Sequence, residues 1–145
     1  MKNKIIAVFL IIITTVLIVL AASDGVLENS SRRTIGYIKS SGTVEDSSRR
    51  TIGYINDNGT VENSSRSTLG YIKDNGTVED SSRRTLGYIK EDGTVEDASR
   101  RTIGYVKSNG AVEDSSRGTI GYFKDVNPKN AAAFFFFFFK EQAKK

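Results

Sequence analysis

Residues 42–58 read GTVEDSSRRTIGYINDN, and this stretch decides the fold. β-Branched and aromatic residues gather in Thr43 to Asp46 and in Thr51 to Ile55, with turn formers on either side, so both segments are predicted to be short strands. Between them the Asp46 carboxylate is placed to accept the Ser48 amide hydrogen two residues on, as in an Asx turn. After them, Asn58-Gly59 supplies the positive φ that a tight hairpin needs. No helical period fits a segment so punctuated.

The same unit recurs along the chain at a fixed step of 17 residues. Gly-Tyr returns at Tyr37, Tyr54, Tyr71, Tyr88, Tyr105 and Tyr122, and a second glycine keeps pace at Gly25, Gly42, Gly59, Gly76, Gly93 and Gly110. Six copies, from Gly25 to Val126, therefore predict twelve short strands. By alternation Ile52 and Tyr54 share one face and Gly53 and Ile55 the other, and Val44 is expected to pack on the Ile52 side, so that one side of the array becomes a ring of aliphatics and tyrosines. Gly53 reads as a point where a backbone or an aromatic ring comes close.

One hairpin of this size cannot bury its own apolar face, so the copies must stack or close around an axis. A linear solenoid calls for atypical caps, yet the end copies deviate little, mainly at Val26-Leu27 and Arg117-Gly118. Closure needs no caps and removes exposed edges. The expected architecture is all-β: a radial, pseudo-symmetric array of six β-hairpins.

Flanking segments complete the domain plan. Residues 1–23 carry Lys2 and Lys4, an apolar run from Ile5 to Leu20, and the small residues Ala21, Ala22 and Ser23, the layout of a secretory signal peptide cut before Asp24. The run falls short of the roughly 20 residues of a comfortable span, so cleavage is favoured over an uncut membrane anchor. Residues 24–126 form the repeat domain. In residues 127–145, Asn127 is placed to cap a helix with Pro128 at its first position. Ala131 to Ala133 and six phenylalanines, Phe134 to Phe139, follow. A run apolar on every side must be buried all round, so it is expected to plug the open end of the array.

Composition narrows function. The 145 residues contain no cysteine, histidine or tryptophan, which removes thiol nucleophiles, imidazole bases and the usual soft metal ligands. The net charge of +4 sits in the two ends, while residues 24–126 carry sixteen acids and fifteen bases, so nucleic acid is not an expected partner. A catalytic pair of carboxylates needs unequal environments, and no copy carries a unique constellation. The Asp57, Asp74 and Asp92 turns lack the dense oxygen ligands of a calcium loop. No catalytic, cofactor or metal residue is assigned, and no cofactor is expected.

The pattern Gly-Thr-Val-Glu-Asp, then Thr-Ile-Gly-Tyr-Ile, then an alanine-rich and aromatic C-terminal stretch resembles the β-flower proteins, over Gly25 to about Phe139. That resemblance implies a small exported bacterial domain of radiating hairpins without known catalysis, and supplies no functional residues. The familiar form is five-fold. Six copies here imply either six-fold symmetry or five Asn-Gly hairpins completed by pairing the first and last strands. The function expected is an exported structural or interaction module, periplasmic, outer-surface or extracellular. Its alternative is a multivalent carbohydrate-binding or adhesive protein using Tyr37, Tyr54, Tyr71, Tyr88, Tyr105 and Tyr122, with a glycan or another envelope protein as partner and membrane contact only through an uncleaved leader. The repeated Glu and Arg are read first as cross-strand ion pairs.

Overall fold

The computed structural model describes residues 23–144, so the leader, apart from Ser23, lies outside the described residues. Twelve strands follow in chain order: β1 (Gly25–Asn29), β2 (Thr34–Ile38), β3 (Thr43–Asp46), β4 (Thr51–Ile55), β5 (Thr60–Asn63) and β6 (Thr68–Ile72), then β7 (Thr77–Asp80), β8 (Thr85–Ile89), β9 (Thr94–Asp97), β10 (Thr102–Val106), β11 (Ala111–Asp114) and β12 (Thr119–Lys124). Each pairs antiparallel with its chain neighbours, and β1 pairs with β12, so the sheet closes into a barrel. The seam sets Leu27 opposite Phe123 and Glu28 opposite Tyr122, the register that Val44 and Glu45 keep with Ile38 and Tyr37. The two closure alternatives thus describe one object: six units around the axis, five junctions made by glycine turns and the sixth by pairing of the first and last strands.

Both turns have the same build. At one end the Gly42 N–H donates to the Lys39 carbonyl, the Lys39 N–H donates to the Thr43 carbonyl, and Gly42 takes φ +81°. That is a three-residue hairpin loop whose last position is left-handed, a place that suits glycine. At the other end Asp46 Oδ1 accepts from the Ser48 N–H at 2.8 Å and the Arg50 N–H at 3.0 Å, and the left-handed residue is Arg49, at φ +64°. The Asx turn expected there is present, and Asn29 and Asn63 serve equally in the first and third units.

The face assignment requires correction. Val44 lies opposite Gly53, and the register then slips so that Glu45 meets Thr51, leaving Ile52 as the extra residue of a β-bulge. Val44, Gly53 and Ile55 therefore share the inner face, and Tyr54 points outward without the aliphatics. The bulge interrupts strict alternation, and Ile52 packs half-buried against the core.

The inner face explains the tail. An eight-stranded barrel is filled by its own side chains and wider ones enclose space, so twelve strands lined by valine and isoleucine need something in the lumen. The C-terminal segment supplies it. Helix α1 (Pro128–Ala132) is capped by Asn127, whose Oδ1 accepts from the Lys129 N–H at 2.9 Å. A π-helical segment continues through Ala133–Phe138, and α2 (Lys140–Ala143) follows it. The segment enters at the glycine-turn end, where Lys129 Nζ reaches the Asp74 carbonyl at 2.7 Å, and leaves at the arginine-turn end, where Lys140 and Lys144 lie near Ser30 and Thr119. Ala131, Ala132, Ala133 and Phe134 are fully buried.

The six phenylalanines distribute one to a unit. A Cβ built on Gly36, Gly121, Gly104, Gly87, Gly70 or Gly53 would meet Phe134, Phe135, Phe136, Phe137, Phe138 or Phe139 respectively, so each ring lies over the glycine of one unit and consecutive rings serve neighbouring units. The first and last rings, Phe134 and Phe139, stack at 5.8 Å, completing the circle. An α-helix turns about 100° per residue and would return Phe138 almost to the azimuth of Phe134. The slacker i→i+5 winding turns less per residue, closer to the step between neighbouring units, and the rings reach one unit each. The close approach expected at Gly53 is therefore real, and its partner is the plug.

This match makes ring size and phenylalanine number a single variable. Deleting residues 76–92 removes one unit and leaves one phenyl without a glycine, and should lower the melting temperature sharply; deleting Phe137 as well should recover much of the loss. Thermal unfolding of the two chains checks it, and a double deletion no better than the single one would refute the match.

Candidate functional site

The six tyrosines expected to bind ligand form one outward ring, each half-buried and at the same position of its unit. Tyr54 lies opposite Thr43 on one neighbouring strand and Glu62 on the other, which places a hydroxyl and a carboxylate beside the ring. An arginine covers it. The guanidinium carbon of Arg66 sits 3.3 Å from the centroid of Tyr54, and Arg49, Arg83, Arg100 and Arg117 repeat this over Tyr37, Tyr71, Tyr88 and Tyr105. Arg32 over Tyr122 carries the pattern across the seam.

These arginines are the left-handed turn residues. A non-glycine residue there costs roughly 1–2 kcal/mol, yet all six units accept it, at φ between +61° and +68°. The stack offsets the strain, since a cation over an aromatic face contributes about 0.5–1 kcal/mol at an exposed site. Carboxylates help fix the guanidinium: Glu79 Oε2 lies 3.4 Å from Arg83 while its Oε1 takes Lys73 Nζ at 2.7 Å. The same bridge joins Lys39, Glu45 and Arg49, and Lys90, Glu96 and Arg100, while in the third unit Asn56 replaces the lysine and donates to Glu62 at 3.1 Å. The ion pairs read from the sequence are present. The Arg–Tyr stack was missed, although its signal, an arginine twelve residues after each of the first five tyrosines, stands in the sequence.

Two clefts open between adjacent glycine-turn tips at equivalent places. One, of about 590 Å³, is lined by Asn58, Thr60, Tyr71, Lys73 and Arg83; the other, of about 780 Å³, by Asp92, Thr94, Tyr105, Lys107 and Arg117, and it extends to Pro128 and Lys129. Each offers an aromatic edge, a hydroxyl and two cations. The tyrosine face itself is occupied by the guanidinium, so a ligand would meet ring edge and phenol rather than an open stacking platform. Among the described residues no group of three or more carboxylates is placed to hold a metal ion. The side chain of Asp92 accepts from Thr94, closing its own turn.

Three of the carboxylates that build the turns are held in their ionised form. Asp46, Asp80 and Asp97 are held below the usual carboxylate range, first by the backbone N–H of Arg50, Arg84 and Arg101 respectively and then by the guanidinium of the same residue, against a desolvation that pushes the other way. Glu79 is lowered chiefly by its bond from Lys73, and Glu62 by that from Asn56.

Two outcomes follow. Arg100→Gly relieves the backbone strain as it loses the stack and should leave stability unchanged or raise it by up to about 1 kcal/mol, whereas Arg100→Ala keeps the strain and loses the stack, and should cost about 0.5–1 kcal/mol in urea unfolding. A depressed carboxylate pKa adds stability above the unfolded value, near 3.9 for aspartate, and that stability is lost as pH falls through the lower folded value. The barrel should therefore hold its stability from neutrality to about pH 5 and lose it below about pH 4. Replacing Asp46, Asp80 and Asp97 by asparagine, the residue already present at 29 and 63, should flatten that acid slope in pH-dependent thermal unfolding.

The sequence model of the 5-fold beta-flower protein family matches residues 23–140. No curated protein and no solved structure matches the chain. That span takes in all twelve strands and the phenylalanine segment, so the chain is a structural repeat module belonging to the 5-fold beta-flower protein family, with six units in its ring.

Proposed function

We propose that this protein is an exported, non-catalytic module of the bacterial cell envelope or exterior that presents one chemical surface six times. The observation that carries the reading is the repetition itself: tyrosine, arginine and glutamate recur around the ring in nearly equal environments. An acid–base pair needs inequality between its members, and a ring of equivalents favours multivalent presentation instead. The basic, apolar and small-residue order of residues 1–23 supports export.

A second reading, multivalent carbohydrate binding, is favoured by the two equivalent clefts, which combine a tyrosine edge with threonine, lysine and arginine. Retention on immobilised polysaccharides, compared between the wild-type chain and Tyr88→Ala, separates the two. Unchanged elution on every polysaccharide supports the purely structural module. Retention that falls severalfold in the variant supports the glycan reading. The export half of the proposal is read independently from the intact mass of protein recovered outside the cell, expected to begin at Asp24; a mass retaining the leader, or no protein outside the cytoplasm, refutes it.

A further inference from the structure

The plug does not close the arginine-turn mouth evenly. Helix α2 leans over β2, where Ile35 is buried, and Phe134, Phe135 and Phe139 are buried too. On the other side Phe136, Phe137 and Phe138, over the glycines of the fifth, fourth and third units, are only half-buried, as are Leu69, Leu86 and Ile103 around them. One sector of the mouth is thus an apolar floor open to water.

Cations stand around that floor. All ten arginines of the chain lie in the turns at this end. Three of them, Arg50, Arg84 and Arg101, have side chains 79–82% exposed, while Asp46, Asp80 and Asp97, which pair with them, are 10–23% exposed. Lys140 and Lys144 border a cleft of about 460 Å³ whose floor includes Ile120, Phe135 and Phe136. Partly exposed aromatics inside a cationic rim are an arrangement with which a protein can rest on an anionic bilayer, apolar groups entering the headgroup boundary and cations meeting phosphate.

We propose that the arginine-turn mouth docks on the surface of a membrane containing anionic phospholipid, through Phe136, Phe137 and Phe138 and the rim of Arg50, Arg84 and Arg101. A second copy seated mouth to mouth would bring two arginine rims together. A soluble polyanion would satisfy the rim and leave the phenyl sector wet. Only a partner with an apolar layer beneath an anionic surface matches both parts. This contact is separate from any made by the leader.

The test uses the whole chain, and because an apolar leader would itself partition into lipid, the reporter sits at the mouth. The protein has no tryptophan, so Leu86→Trp gives a single indole there, with Leu69→Trp as a second reporter should the first lower the melting temperature. Vesicles of phosphatidylcholine with an equal part of phosphatidylglycerol should shift the emission to the blue, pure phosphatidylcholine should not, and raising salt should weaken the response. The third unit already carries serine, Ser67, at the position of these rim arginines, so Arg50→Ser, Arg84→Ser and Arg101→Ser are compatible with the turn. Together they should weaken binding at least about tenfold. The proposal is overturned if emission is unmoved by anionic vesicles, if it moves equally on neutral ones, if the arginine variant binds unchanged, or if polyphosphate binds as tightly as vesicles while emission stays put.

Discussion

Six phenyl rings over six glycines hold this molecule together. The hairpins are four to six residues long on each side, and their valines and isoleucines line a lumen too wide for them to fill. Nothing in a single unit favours closure over continued stacking. The helical segment resolves this by offering one ring to each unit, and the absent side chains at Gly36, Gly53, Gly70, Gly87, Gly104 and Gly121 leave room for the rings to reach the sheet. A fully buried phenylalanine contributes on the order of 1.5–3 kcal/mol, so even with half of the rings incompletely covered the segment is comparable with the net stability of a small domain. Three alanines ahead of the rings, Ala131 to Ala133, are fully buried in the lumen alongside the valines and isoleucines of the wall.

Outside, the same economy of repetition solves a different problem. The left-handed turn position would normally go to glycine or asparagine, as it does at the opposite end of the barrel. Arginine there adds backbone strain but aims a guanidinium at the tyrosine of the preceding unit, and a glutamate fixes it from the side. Each unit is thereby fastened to the one before it by a contact that crosses a strand boundary. The first unit is fastened to the last in the same way, through Arg32 and Tyr122, so the outer ring reinforces the closure that the inner ring requires.

Much of this was legible in the primary structure. The 17-residue step, the twelve strands, the glycine turns and the aspartate turns follow from residue types with narrow backbone preferences, and the tail's burial follows from six adjacent phenylalanines with no polar face. The inward direction of Val44 was not legible, because a one-residue bulge at Ile52 reverses an alternation that the sequence alone shows as regular. Nor was the π-helical winding of Ala133–Phe138, a form that is rare in general and has no local signal in the sequence. The recurrence of the tyrosines around a ring was legible, but their separation from the aliphatic face was not, because of the same bulge at Ile52. Their cover was not foreseen, since it joins residues twelve apart across a strand boundary.

The seam between β1 and β12 is the one junction of the ring with no loop across it. It is fastened by strand pairing, by the Arg32–Tyr122 stack and by the Ser23 hydroxyl on Asp125 at 3.1 Å, next to the point where the chain turns into the lumen. Tension applied through residues ahead of Ser23 would fall on that junction first, peeling β1 sideways like the end of a zipper and loosening the hoop around its axle. A tether left at the front of the chain would therefore load the one junction that no loop crosses, whereas a free front end would leave the hoop relaxed.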